Sequence, residues 1–251
     1  MPNSPLRLNE PIVYYAVGDI HGESKRLSEL HQNILEHHHY FHSGKSRTII
    51  HLGDYVDRGP DPCAVLEHLI TFSKEAEASE GINIVNLRGN HEQQMLDAHA
   101  DPDGSSMDTW MREGWGGRNT LQSYARRKDG DELLERHCEW IAQLPVIWRP
   151  KNDPFVFVHA GVDPDFFPNE DEQIYFWTRS SEFFDTSRWT SQSLKGQTVV
   201  HGHTPTKNQK AEISKFETSR RINVDAGAAY GGPLACAVID PAVEEVRFLY
   251  A

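Results

Sequence analysis

The sequence predicts an α/β fold, its first half largely parallel and its second half β-rich, on three observations. Three apolar runs, Ile12–Val17 and residues 48–52 and 82–87, each stop at a glycine followed by a polar residue. Stretches with apolar residues at helical spacing follow them, which makes βαβαβα and calls for parallel strands. After Pro150 the texture changes to short strands, at Phe155–Val158 and residues 198–200, 222–224, 234–239 and 243–249.

The elements follow in order. Ile12–Val17 is β-branched or aromatic throughout and reads as a buried strand ending at Gly18-Asp19. Ser24 suits an N-cap, and Leu27, Leu30, Ile34 and Leu35 give the next helix its apolar face until the polar run His37-His38-His39. That run lacks carboxylate partners, so it reads as solvated or as complementing a helix C-terminus. Residues 48–52 break at Gly53-Asp54; Val65, Leu66, Leu69, Ile70 and Phe72 then line a helix. Residues 82–87 break at Gly89-Asn90, with Met95 and Leu96 on the helix after them. Residues 107–144 read as helices separated by the turn Lys128-Asp129-Gly130, an insert or cap spanning about 105–145 of a single domain covering 1–251. The basic and aromatic stretch from Trp110 to Arg127 inside it could bound a substrate groove, but an ordinary helical cap is the favoured reading. The aromatic stretch from Phe166 to Phe184 reads as packing.

Composition narrows the function. The 251 residues carry a net charge of −12, which argues against attachment to nucleic acid or an anionic membrane. A 38% hydrophobic fraction with a mean hydropathy of −0.60 suits a globular enzyme, and no run approaches the roughly 20 apolar residues of a membrane helix. The opening residues lack a basic end and apolar run, so a cytoplasmic location is expected. Cys63, Cys138 and Cys236 are far apart and odd in number, and are expected as buried thiols rather than a disulfide or metal set.

The chemistry sits where strands stop. Gly18-Asp19-Ile20-His21-Gly22, Gly53-Asp54-Tyr55-Val56-Asp57-Arg58-Gly59-Pro60, Gly89-Asn90-His91-Glu92, His159-Ala160-Gly161 and His201-Gly202-His203-Thr204 each close an expected strand. Ligands of open α/β sheets bind at the carboxyl ends of strands, so five such blocks can meet in one crevice. Two aspartates, three or four imidazoles and an amide make a mixed oxygen and nitrogen donor set that suits Mn, Fe or Zn better than Mg. Six donors exceed what one ion keeping a water accepts, but fit two ions that share a carboxylate and clamp a phosphoryl group. An arginine close to such donors presents a fork matched to phosphate oxygens.

In this order the blocks resemble the signature of the phosphoprotein phosphatase family within the calcineurin-like metallophosphoesterases, over residues 18 to about 232. The Trp177-Thr178-Arg179 and His201-Gly202-His203-Thr204-Pro205 versions are similar to its bacterial and phage branch. The resemblance implies a metallophosphoesterase fold, a central β-sandwich of mixed sheets flanked by helices. It implies Asp19 and His21 on one divalent ion, Asp54 bridging, and Asn90, His159 and His203 on the other, with manganese expected and Fe or Zn possible. It further implies His91 as general acid, Asp57 orienting it, and Arg58 and Arg179 gripping the phosphate. His201 competes with its neighbour His203, and the family pattern favours the latter. Tyr230 resembles a family residue beside the site but equally fits a packed turn.

The implied activity is hydrolysis of phosphoserine or phosphothreonine by hydroxide held between the ions, on a phosphorylated protein or small phosphoester. A symmetrical dinucleoside polyphosphate hydrolase would use the same groups on an anhydride. Glu92 after Asn90-His91 looks more like the protein phosphatases. A third possibility, an inactive phosphate-binding scaffold, would have no use for the proton donor His91.

Overall fold

A computed structural model describes residues 11–79 and 81–251. The opening residues, on which the cytoplasmic expectation rests, are mostly outside the described residues. Two five-stranded mixed sheets face each other. The first draws its strands from residues 12–86 and 235–250 and the second from residues 147–223.

In the first sheet β1 (Ile12–Val17), β2 (Ser46–His51) and β3 (Ile82–Asn86) are parallel, joined by α1 (Ser24–His42) and α2 (Pro62–Glu77). Its other two strands come from the far end of the sequence. β9 (Ala235–Ile239) runs antiparallel to β1, and β10 (Val246–Tyr250) to β9. In the second sheet β5 (Phe155–Val158), β6 (Thr198–His201) and β8 (Ser219–Asn223) are parallel, and β4 (Ile147–Trp148) and β7 (Glu212–Phe216) form antiparallel edges.

Strand alternation explains the layers. Tyr14 and Ala16 on one face of β1 join Ile50, Phe157, Val200, Ile222 and Ala237 between the sheets. Val13, Tyr15 and Val17 on the other face pack against Leu27, Leu30, Ile34, Leu66 and Leu69 of α1 and α2. A strand covered on both faces must be apolar throughout, as β1 is. The outer face of the second sheet is covered by Phe167, Tyr175, Phe176 and Phe183, so most of the aromatic stretch is packing, with part of it in α7 (Gln173–Trp177) and α8 (Ser181–Phe184).

Two expectations are corrected, and two features go beyond the sequence reading. Ser24 does not cap α1; Glu23 holds that position, with no side-chain cap. The helix runs through the histidine triplet to His42, because His38 is buried with its Nε2 on the Lys45 carbonyl and its Nδ1 near the Tyr15 hydroxyl. β4 and β7 escape the sequence reading, one being two residues long and the other an edge strand of charged and exposed residues. The insert is three helices, α4 (Ser105–Trp110), α5 (Gly117–Ala125) and α6 (Gly130–Ala142), and it reaches the site. The three cysteines are buried and unpaired, as expected.

Candidate active site

Because β1 and β2 are parallel to each other in one sheet, and β5, β6 and β8 in the other, the loops that follow them leave from common edges. Together with α3 (Asn90–Ala100), which starts after β3, they bring all five blocks together. Hydrogen bonds stitch the loops. His21 N and Ile20 N donate to Asp54 O, Gly202 N donates to His159 O, and Val224 N donates to His201 O. Glu92, in the first turn of α3, accepts from the backbone N–H groups of Asp54, Tyr55, Val56 and Gly89. Side chains in these loops are aimed by strained backbone. His21, Asp54, Asp57, Arg58 and His203 all have positive φ, between 44° and 70°, a region that costs a non-glycine residue about 1–3 kcal/mol.

The donors fall into two groups, His21, Asp54 and His91, and Asp54, His159 and His203, with ligand atoms in each within 4.8 Å of one another. Asp54 belongs to both. His21 Nε2 lies 3.4 Å from Asp54 Oδ2 and His159 Nε2 lies 3.3 Å from Asp54 Oδ1. The remote ring nitrogens are held by backbone: His21 Nδ1–H donates to Val56 O at 2.8 Å and His159 Nδ1–H to Leu52 O at 2.9 Å. Such bonds fix which nitrogen is free to accept a cation. Asn90 Oδ1 lies 2.9 Å from both His159 Nε2 and His203 Nδ1. Asp19 stands beside the groups rather than within them, its carboxylate accepting from His203 N at 3.0 Å.

Electrostatics fit a pair of divalent cations here. Burial pushes Asp19 and Asp54 well above the ordinary carboxylate range, with Asp225 and Glu92 respectively adding like-charge repulsion. Asp225 is raised to about 6 by burial. Burial drives His21 and His203 far below the ordinary imidazole range and His159 to about 3. Carboxylates short of positive charge, beside imidazoles kept neutral, are the donors a divalent ion takes.

His91 points its Nδ1 at Asp57 Oδ2, 2.6 Å away, leaving Nε2 4.0 Å from Asp54 Oδ2. Asp57 is anchored from the insert: Thr120 Oγ1 donates to its Oδ1 at 2.6 Å and Trp110 Nε1 donates to the carboxylate at 3.0 Å. Burial raises Asp57 to about 7, opposed by these two bonds. Arg58 Nη1 lies 2.6 Å from His21 Nε2, and its buried Nε has no hydrogen-bond partner among the described residues. Arg179 Nε donates to His203 Nε2 at 3.0 Å. An anion arriving at the cluster therefore meets two guanidinium groups.

All ten sequence-derived site residues meet in this crevice. His201 is turned away, its ring packed by Phe183 and Phe184 and bonded to Arg221. Tyr230 is 59% exposed, with the Arg58 guanidinium over its ring. The sequence reading gave no role to Asp225 within the Tyr230 loop or to Glu92 as an organiser, and it held Trp110, Trp115 and Thr120 in a stretch favoured as a cap over the wall of a groove. Asp225-Ala226-Gly227 closes a strand as the other blocks do, a signal that could have found it.

Comparison with known proteins gives the same direction. A family model described as calcineurin-like phosphoesterase matches residues 12–230. The asymmetrical bis(5'-nucleosyl)-tetraphosphatase PrpE of Oceanobacillus iheyensis is 23% identical over 233 residues, covering 87% of this chain and 85% of that one. Serine/threonine-protein phosphatase 1 of Salmonella typhimurium is 26% identical over 239 residues, covering 90% and 91%. Against a symmetrical tetraphosphatase that it also matches, the chain spans 46% of the length. A serine/threonine phosphatase structure from Saccharomyces cerevisiae shares the fold, with a TM-score of 0.57 at 14% identity over 97% of this chain and 81% of that one.

Proposed function

From the premise that this chain belongs to the calcineurin-like phosphoesterase family, we propose that it hydrolyses phosphate monoesters, with phosphoserine and phosphothreonine side chains as substrates. The observation that carries the reading is the His91–Asp57 pair facing the donor cluster. An alkoxide leaves poorly, so a proton donor held by a carboxylate has value on a monoester.

Asp19 and His21 would hold one divalent cation, Asp54 both, and Asn90, His159 and His203 the other, with manganese the metal we expect. Bound there, the two cations supply the charge that activates a water and stabilises the phosphoryl oxygens. The remaining work falls to the chain. Arg58 and Arg179 bind the phosphoryl oxygens that face away from the donors, and the guanidinium fork fixes their orientation. His91 releases its Nε2 proton to the leaving oxygen while Asp57 stabilises the charged imidazole through Nδ1. Thr120 and Trp110 hold Asp57 in register with that ring.

A second reading, hydrolysis of dinucleoside polyphosphates, is supported by relatives whose names carry bis(5'-nucleosyl)-tetraphosphatase. Turnover of a phosphothreonine peptide against diadenosine tetraphosphate by the manganese-loaded protein separates the two. Higher kcat/KM on the peptide is expected; the reverse order overturns the first reading.

A further inference from the structure

A cavity of about 520 Å³ opens between the sheets at the end remote from the crevice, where the parallel strands begin. Tyr14 of β1, Thr48 of β2 and Asn83 of β3 pair in register, so their side chains share the face that β1 turns to the second sheet. From that sheet comes Trp148 of β4, its ring edge-on to Tyr14 with 6.0 Å between centroids. The loop before β5 adds Pro150 and Asp153, and the residues after β9 complete the lining with Asp240. Asp19 and the donor cluster lie beyond the other end of β1, about 15 Å along the strand. The volume falls within the range of about 300–1,000 Å³ that small-molecule sites occupy.

Polar groups of this cavity are left with something to bind. Thr48 is 2% exposed, and its hydroxyl makes no hydrogen bond among the described residues. A buried hydroxyl without a partner costs free energy that a ligand can recover. Asp153 accepts from the Tyr14 hydroxyl and makes no salt bridge among the described residues. Burial holds that phenol far above its ordinary range, so it stays a neutral donor and leaves the charge of Asp153 unmatched. Asp240 differs: it is paired with Lys45, and His42 lies 3.8 Å from it. Lys151, also in the lining, is exposed and bridges neither carboxylate.

We propose that this cavity is a second binding site, for a small aromatic cation: a flat ring that carries a protonated amine or amidine. The ring lies against Trp148 and Tyr14, which attract both its apolar face and its charge. Its N–H groups reach Asp153, in a charge-assisted hydrogen bond that a neutral ring cannot make. The Thr48 hydroxyl and the Asn83 amide take the hydrogen bonds that remain. An aromatic anion meets the carboxylate of Asp153 with like charge and is rejected. Nothing in this recognition draws on the donor cluster, so the site is occupied whether or not the crevice is.

Three probes of one size test this by calorimetry on the manganese-loaded protein: benzamidine, a cation; benzyl alcohol, neutral; and benzoate, an anion. Benzamidine is expected to bind at least about 10-fold tighter than benzyl alcohol, the share of a hydrogen bond between charged groups, and benzoate weaker than either. Asp153→Asn is expected to bring benzamidine down to the level of benzyl alcohol while leaving benzyl alcohol unchanged, which shows that the variant is folded. Trp148→Leu is expected to weaken both by about 3- to 10-fold. Saturating inorganic phosphate, which fills the crevice, is expected to leave all three affinities as they were. Displacement of benzamidine by phosphate assigns its binding to the crevice and overturns the second site. Equal affinities for benzamidine and benzyl alcohol, or a benzamidine preference that survives in Asp153→Asn, overturns the cation assignment. No binding of benzamidine up to about 10 mM, the weakest Kd expected of a ligand of that size in a built site, overturns the proposal outright.

Discussion

The molecule buries two clusters of histidine, and they differ in what accompanies the rings. At the strand ends, His21, His91, His159 and His203 surround Asp54 and Asn90. Between β2 and the helices, His31 Nδ1 lies 2.8 Å from His68 Nε2 and His31 Nε2 lies 2.8 Å from His51 Nε2, while His51 Nδ1–H donates to Asn86 Oδ1 at 2.7 Å. Phe72 stacks on His31, 4.1 Å between centroids. Burial keeps imidazoles neutral in both places. In the second cluster each ring nitrogen between His68 and Asn86 is consumed by a neighbour, so the rings form a closed N–H···N chain. In the first, ring nitrogens converge on carboxylate and amide oxygens. Imidazole burial alone makes structure; imidazoles converging on buried oxygens make a place for cations.

The largest effect expected to separate the clusters is on rate. His91→Asn should lose about 10²- to 10⁴-fold in kcat on a phosphothreonine peptide, the usual share of a general acid. His31→Phe should leave the rate at neutral pH near that of the wild type. Steady-state kinetics on both variants checks this; a wild-type rate in His91→Asn removes the acid assignment, and a collapse in His31→Phe breaks the contrast. Next comes metal. Asp54 is common to both donor groups, so Asp54→Asn should lose both ions in elemental analysis, not one. Manganese at 100 times its Kd should stabilise the wild type by about 2.7 kcal/mol per site, and this thermal shift should vanish in the variant. Full occupancy in Asp54→Asn counts against the shared carboxylate.

How much of this was legible follows the range of the interactions. The five blocks were legible because each is a local event, an apolar run halted by glycine and a polar residue, and parallel topology then carries them to one end. The place of β9 and β10 in the first sheet was not, since pairing Tyr15 with Val238 spans more than 200 residues and leaves no local mark. The histidine chain was invisible for the same reason. His31 reads as an ordinary helix residue until β2 brings His51 to it. Of the triplet, His39 is exposed in the last turn of α1 as expected; His38 misled because polarity was taken for exposure, whereas Tyr15 and Lys45 satisfy its hydrogen bonds. The insert looked like a cap because Trp110 and Thr120 act on Asp57 from 53 and 63 residues away.

The second cluster adds its own pH dependence to stability. Burial holds His51 at about 3 and His31 well below the ordinary value, and lowers His68 against the opposing charge of Glu75. Native values lie below the unfolded value of about 6.5, so this stability is complete above about pH 6.5 and is lost as pH falls toward 3. At pH 5 the unfolded chain has taken up a proton that native His51 refuses, a loss of about 2 kcal/mol from that ring. Thermal melts from pH 8 to 5 should show an acid limb that is shallower in His31→Phe. An unchanged slope would assign the limb elsewhere.

The smallest effect tests why His91 is not simply another ring in a chain. What distinguishes it is Asp57, a carboxylate inside the protein, held by one hydroxyl and one indole from the insert. Thr120→Val keeps the shape of the side chain and deletes the 2.6 Å bond to Asp57 Oδ1, together with the acceptor for Asp57 N at 2.9 Å. A buried hydrogen bond to a charged group contributes about 1.5–3 kcal/mol, but Trp110 Nε1 still reaches both carboxylate oxygens, so the loss falls toward the lower end. A rate reduced about tenfold on phosphothreonine, with metal content intact, is the expected outcome. If the variant instead loses metal in step with rate, Thr120 supports the donor loops as a whole, and the insert acts on the cations rather than on the acid.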